Sequence, residues 1–435
     1  MISATFQMML KCVFAVCLVS VVLASSSRAH AQGLPPVVAQ EPEQAPVAAQ
    51  EDVTGLNSFG RNHSLSQYQW HLVTGNAGWP GRAGLQAAEL RNNLYVMGGR
   101  GAFNPFKTTI YSDVWKSTDQ GATWTQVAAS PWPARAYFQA VTHRGEMFIL
   151  GGQNFDVVPN PGFPGCPNNP PGLPCLPTIP NSTFFNDVWR SKNGADWMQV
   201  TPTAGWTGRA GLSATVFKGD IYVLGGSRGD DAATGGQGRV FFNDVWKSSD
   251  GKTWKPVTKN APWAARAGAA VVVKNGYIYL LGGERGFTCG GAPGCNAERD
   301  LYFHDVWRSK NGADWELVTP AAGWSARPGH QCVVLLNQIV CFGGYGEPQN
   351  PDDIWASDDG KEWEELRASA SPPWNVTSPN DAKYDFDALV VQGGKGGFAP
   401  SIMTLGGDRE RFELPPEENA KRVDSDVWRL SRSRK

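Results

Sequence analysis

Tryptophan recurs along this chain in a fixed three-beat order, and a recurrence of that kind decides the architecture before anything else is weighed. Asp-Val-Trp or Asp-Ile-Trp places tryptophan at 115, 189, 246, 307, 355 and 428. After five of these, a Ser, an Asp or Asn and a Gly lead into a second tryptophan at 124, 197, 254, 315 or 363. A third follows at 132, 206, 263, 324 and 374, and after four of these, as after Trp79, an arginine comes three residues on. Trp70 and Trp79 supply the second and third beats at the N-terminal end, so all 18 tryptophans belong to the repeat. Each unit closes on a hydrophobic run ending in Gly-Gly.

Turn chemistry divides each unit into four strands. Ala210 to Phe217 and Asp220 to Leu224 flank Lys218-Gly219, and Ala267 to Val273 and Tyr277 to Leu281 flank Asn275-Gly276. Such pairs suit two-residue hairpin turns with positive φ between β-branched and aromatic runs. The Asp-Val-Trp segment is the third strand and the Trp-x-x-Val segment the fourth, joined by Ser-Asp-Gly or Ser-Lys-Asn-Gly. Tandem antiparallel four-stranded units spaced by 48 to 74 residues predict an all-β, six-bladed propeller over residues 66–435. Trp70 offers a fourth strand without a third, and Trp428 a third without a fourth. One blade shared by both chain ends closes the ring and removes its open edges.

The rest of the 435-residue chain reads as an export leader and a tether. Lys11, the apolar run Cys12 to Ala24 and Ala29-His30-Ala31 mark residues 1–31 as a signal peptide. Residues 32–65, rich in Pro, Ala and Gln, form a linker. The apolar run is 13 residues where a bilayer span needs about 20, so no membrane span is expected in the mature chain. Lys+Arg 39 against Asp+Glu 40 excludes an electrostatic nucleic-acid binder. Export agrees with the cysteines: sequence neighbours pair as Cys166 with Cys175, Cys289 with Cys295 and Cys332 with Cys341. The last pair follows from register, because a turn at Leu336-Asn337 sets 332 directly opposite 341. No Cys-x2-Cys spacing or His-Glu-x-x-His occurs, and neither a metal nor a cofactor is expected.

Gly-Gly after the second strand, a tryptophan after the strand-three turn and an arginine opening the first strand resemble the Kelch family, with Arg327-Pro-Gly-His330 the nearest copy. Ser117 to Trp124 is similar to the Asp-box hairpin of sialidase-type propellers, with shorter versions at Ser191, Ser248 and Ser357. The resemblance covers about residues 66 to 430 and implies a fold far more firmly than an activity.

Topology puts the long loops on one face, running from Arg100, Gln153, Ser227, Glu284, Tyr345 and Asp408 to the next Asp-x-Trp. The same face is expected to carry Arg82, Arg135, Arg209, Arg266 and Arg327, with Arg100, Arg228, Arg285 and Arg409 nearby. Guanidinium forks suit a carboxylate or sulfate. In Kelch adaptors that bind acidic peptides, arginines at the first-strand position contact the ligand, and the resemblance extends that to these five. They read more simply as braces between blades, bonded to backbone or to acids such as Glu284 and Asp408. The expectation is a secreted or periplasmic monomer that binds an anionic glycan or an acidic peptide on the loop face, with no catalysis required. One alternative is a carbohydrate-active propeller similar to sialic-acid mutarotases or sialidases, with Glu284, Glu347 or Asp408 as acid or base. Another is a structural envelope or matrix protein.

Overall fold

A computed structural model describes residues 65, 68–102, 108–154, 157–159, 178–180, 182–229, 240–286, 302–346, 350–351, 353–366, 383–392, 400–410 and 422–432. The signal peptide, nearly all of the linker, Glu347 and the cysteines at 166, 175, 289 and 295 lie outside them.

Six antiparallel four-stranded blades follow one another in sequence. Blade 1 comprises Gln86–Leu90, Asn93–Met97, Asp113–Ser117 and Thr125–Ala129, innermost strand first. Blades 2 to 5 repeat that order, with innermost strands Gln139–His143, Ser213–Phe217, Ala270–Lys274 and Gln331–Leu335. Blade 6 takes three strands from the C-terminal end, Asp387–Val391, Ser401–Leu405 and Val427–Arg432, and its outermost strand, Tyr68–Thr74, from the N-terminal end. Leu72 lies opposite Trp428 and Trp70 opposite Leu430, which is the expected closure. Each innermost strand packs against those of its two neighbours, and the sixth returns to the first. No helix among the described residues is long and apolar enough to cross a membrane.

The hairpin from Gln331 to Phe342 has the anticipated register. Leu335 faces Gln338, and Cys332 faces Cys341 across a disulfide. Leu336 and Asn337 both take positive φ (50° and 62°), the twist a two-residue turn requires. Two first strands start later than expected, at Ser213 and Ala270, because Gly211 and Gly268 turn their amides to the preceding blade around the axis and leave Ala210 and Ala267 as isolated bridges to Ser227 and Glu284.

The three tryptophan beats do three jobs. Five of the six first-beat indoles donate to the aspartate two residues back, as Trp115 Nε1 does to Asp113 Oδ2 at 2.7 Å; Trp355 makes no such bond. Second-beat indoles close the hairpin turn on a glycine carbonyl, as Trp124 Nε1 does on Gly121 O at 3.0 Å. The five described third-beat indoles are buried between blades, edge-on to a second-beat ring, as in Trp206 against Trp254 with centroids 6.0 Å apart. His304 occupies the place of Asn186 and Asn243, its Nδ1 3.0 Å from Trp324 O, and so belongs to the frame.

Candidate functional site at the propeller axis

Every blade opens its innermost strand with a cation held by the aspartate of the Asp-x-Trp segment in the same blade. Arg82 donates from Nη1 to Asp113 Oδ1 (2.6 Å) and to Gly98 O (2.9 Å), from Nη2 to Asp113 Oδ2 (2.9 Å) and from Nε to Pro80 O (3.1 Å). The Tyr111 ring lies over its guanidinium at 4.3 Å. Arg135 with Asp187, Arg209 with Asp244, Arg266 with Asp305 and Arg327 with Asp353 repeat the fork-on-fork geometry. These five arginines are 0–2% exposed. The pair joins the first and third strands of one blade, where a partner in a neighbouring blade or at Glu284 or Asp408 was expected. An incoming anion would have to displace an aspartate from each fork.

Blade 6 has the same device with a different residue at a different spacing. Lys383 Nζ meets Asp426 Oδ1 at 2.5 Å and Asp424 Oδ2 at 2.9 Å. It stands nine residues after Trp374, whereas the other cations follow their tryptophan by three, so a search at the repeat spacing passes over it.

The residue two past each cation lies on the axis. Four blades place glycine there, at 84, 211, 268 and 329, and the other two place Tyr137 and Asp385. All six adopt the left-handed backbone conformation, with φ of 54° at Tyr137 and 51° at Asp385. Backbone bonds run from one to the next: Gly84 N to Asp385 O, Tyr137 N to Gly84 O, Gly211 N to Tyr137 O, Gly268 N to Gly211 O and Asp385 N to Gly329 O. A tyrosine and an aspartate in a conformation that glycine adopts freely are strained, and strain of this kind concentrates where a side chain is needed for function.

The glycines make room for those two side chains. A methyl group at Gly84 would come within 2.9 Å of the Tyr137 ring, and one at Gly329 within 2.6 Å of Asp385 Oδ1. Tyr137 therefore leans across blade 1 to reach blade 6, and its hydroxyl donates to Asp385 Oδ2 at 3.0 Å. Both residues are half-buried.

Above this ring lies a second, made by the residues after each Gly-Gly: Arg100, Gln153, Ser227, Glu284, Tyr345 and Asp408. In five blades this residue is bridged in antiparallel fashion to the start of the innermost strand. Arg100 reaches across, donating from Nε to Tyr137 Oη (2.8 Å), from Nη1 to Glu410 Oε2 (2.8 Å) and from Nη2 to Asp408 Oδ2. Tyr384 donates its hydroxyl to Glu410 O at 3.3 Å. Glu284 comes to the axis over Gly268, its Cγ 4.0 Å from where a methyl would stand. Gln153 is 1% exposed, and its Oε1 has no donor among the described residues. Arg228 and Arg285, next to Ser227 and Glu284, are exposed.

Burial pushes the Asp385 carboxyl up to about 6, with the charge on Asp408 adding to the shift while Arg100 and the Tyr137 hydroxyl oppose it. Burial raises the Tyr137 phenol far above its usual range, so it stays neutral. His330 packs on Trp324 with ring centroids 5.3 Å apart, and burial holds it neutral with a pKa of about 3, so it is a core group. A carboxyl pushed up to about 6 and hydrogen-bonded to a neutral phenol is an arrangement suited to proton transfer.

No protein-family model matches the chain. It is similar to N-acetylneuraminate epimerase from Escherichia coli O9:H4 (strain HS), 22% identical over 346 residues, which cover 78% of this chain and 77% of that protein. The counterpart from Shigella boydii serotype 4 (strain Sb227) is 21% identical over the same span. Among solved structures, the one titled "Structure of YjhT" aligns with a TM-score of 0.54 at 17% identity, covering 77% of this chain and 93% of that one, a likeness of fold.

Proposed function

We propose that this chain is an extracytoplasmic, Kelch-type, carbohydrate-active propeller that interconverts the anomers of a reducing sugar at the axis. The observation that carries the reading is the Tyr137–Asp385 pair, two non-glycine residues in left-handed backbone at slots where four blades have glycine. The similarity to N-acetylneuraminate epimerases supports the sugar chemistry. The leader-like N-terminus and the Cys332–Cys341 disulfide support an oxidising location.

Opening a cyclic hemiacetal requires that the anomeric hydroxyl lose a proton while the ring oxygen gains one. With Asp385 protonated, the anomeric proton passes to Tyr137 Oη, the phenol proton passes to Asp385 Oδ2, and the Oδ1 proton passes to the ring oxygen. The bond between anomeric carbon and ring oxygen breaks as the carbonyl forms. Reclosure on either face reverses each transfer, so the enzyme ends as it began. Arg100 Nε fixes the phenol rotor for this relay.

NMR exchange spectroscopy on the anomers of N-acetylneuraminate, N-acetylmannosamine and mannosamine tests the reading. Acceleration of at least one sugar is expected, abolished by Asp385→Asn and cut at least tenfold by Tyr137→Phe in variants that still fold. No acceleration of any of them contradicts it. A second reading, capture of an anion without turnover, is favoured by the exposed Arg228 and Arg285 at the mouth. Binding without anomer exchange, lost in the Arg228→Ala, Arg285→Ala double variant, would select that one.

A further inference from the structure

We infer that the axial pocket takes a sugar bearing no carboxylate, its hydroxyl and amine donors meeting the acceptors of the throat. The inference rests on the axial reading above and names its substrate class.

The first ground is where the cations of the inner wall are engaged. The five strand-opening arginines and Lys383 are each bonded to aspartate within their own blade. Arg100 reaches the axis, but it is shared between Asp408, Glu410, the Gly101 carbonyl and the Tyr137 hydroxyl. Among the described residues, then, one guanidinium at the throat stands against four carboxyl groups, those of Asp385, Asp408, Glu410 and Glu284. A bound carboxylate would face that surplus, whereas a hydroxyl or an ammonium would be drawn in.

The second ground is independent of charge. Gln153 is buried in the same ring as Arg100 and Asp408, yet its Oε1 meets no donor among the described residues. A buried acceptor left alone costs free energy that a ligand hydroxyl or amine returns on binding. A sugar's hydroxyl or amine supplies that donor, which favours a sugar in the site, while the charge count decides against the carboxylate.

The bare slots tell where the sugar ring goes. Tyr137 and Asp385 fill the axis over blades 1, 2, 5 and 6, while Gly211 and Gly268 place no side chain there; a methyl at Gly211 would come within 3.1 Å of Ala267 Cβ, and one at Gly268 has only ordinary contacts, with Glu284 Cγ at 4.0 Å. A pyranose lying there would present its anomeric side to Tyr137 and Asp385.

Calorimetric titration of the full-length mature protein at pH 7.5 with mannosamine, N-acetylmannosamine and N-acetylneuraminate tests the assignment, with anomer exchange recorded on the same samples. The two sugars without a carboxylate are expected to bind at least tenfold more tightly than the acid, mannosamine best and with the stronger salt dependence. Gln153→Leu is expected to weaken both by at least fivefold without moving the thermal midpoint. Tighter binding of N-acetylneuraminate with its anomers exchanging would overturn the substrate class and leave the axial reading standing. If no sugar binds and none exchanges, the axial reading fails and the inference with it.

Discussion

At position 209 a guanidinium that could have been a ligand hook is instead enclosed, 0% exposed and doubly bonded to Asp244. Removing one partner of such a pair leaves the other charge buried alone, at a cost of about 3–5 kcal/mol. Arg209→Ala is therefore expected to lower unfolding stability by about that much in urea titration, and Arg228→Ala by no more than about 0.5 kcal/mol. Equal, small effects would show that the forks are not structural. The same scale explains what a single sequence could and could not disclose. Arg209 and its four companions were visible because they recur at fixed spacing, but their aspartate partners were hidden inside the Asp-x-Trp motif used to find the strands. Tyr137 and Asp385 escaped notice because neither is part of the repeat. The signal was there all the same, in Arg135-Ala-Tyr137 and Lys383-Tyr-Asp385 read beside Arg82-Ala-Gly84. It becomes legible once the slot is known to need positive φ.

Among the elements, the seam between blades 6 and 1 differs chemically from the others. Where blades 1 and 2 each clamp the next innermost strand with a neutral glutamine, Gln86 to Ala140 N and Gln139 to Ala214 N, blade 6 uses Asp387, whose Oδ2 accepts from Ala87 N at 2.5 Å. Burial pushes this carboxyl up to about 7 from an ordinary 3.8, although the amides of Ala87 and Ala388 favour the charged form. A carboxyl raised on folding binds its proton more tightly in the native state. Its contribution is thus complete below about pH 4 and is lost as pH rises through about 7. Differential scanning calorimetry is expected to show the native protein gaining midpoint relative to Asp387→Asn as pH falls from 7.5 to 5. Parallel profiles would show the seam indifferent to protonation. Strand register was readable in advance wherever a two-residue turn fixed it, as at Leu336-Asn337. First-strand starts were not, because Gly211 and Gly268 interrupt the ladder by giving their amides to the preceding blade.

For the molecule as a whole, six blades could be counted from tryptophans alone, since the first five blades place the same indoles in the same positions and the shared last blade follows from which beats are missing at the ends. Chemistry could not be counted in that way. It sits at the two slots that break the symmetry, on an axis to which all six blades contribute. The relay proposed there runs only while Asp385 holds its proton, and that carboxyl titrates at about 6. The most direct test is the rate of anomer exchange against pH from 5 to 8, for the native protein and for Asp385→Asn. The account expects a plateau at the acid end, a bend near pH 6, a fall approaching tenfold per unit above it, and no enzymatic rate in the variant. A rate that is flat or climbs across that range, or that persists in Asp385→Asn, would contradict it.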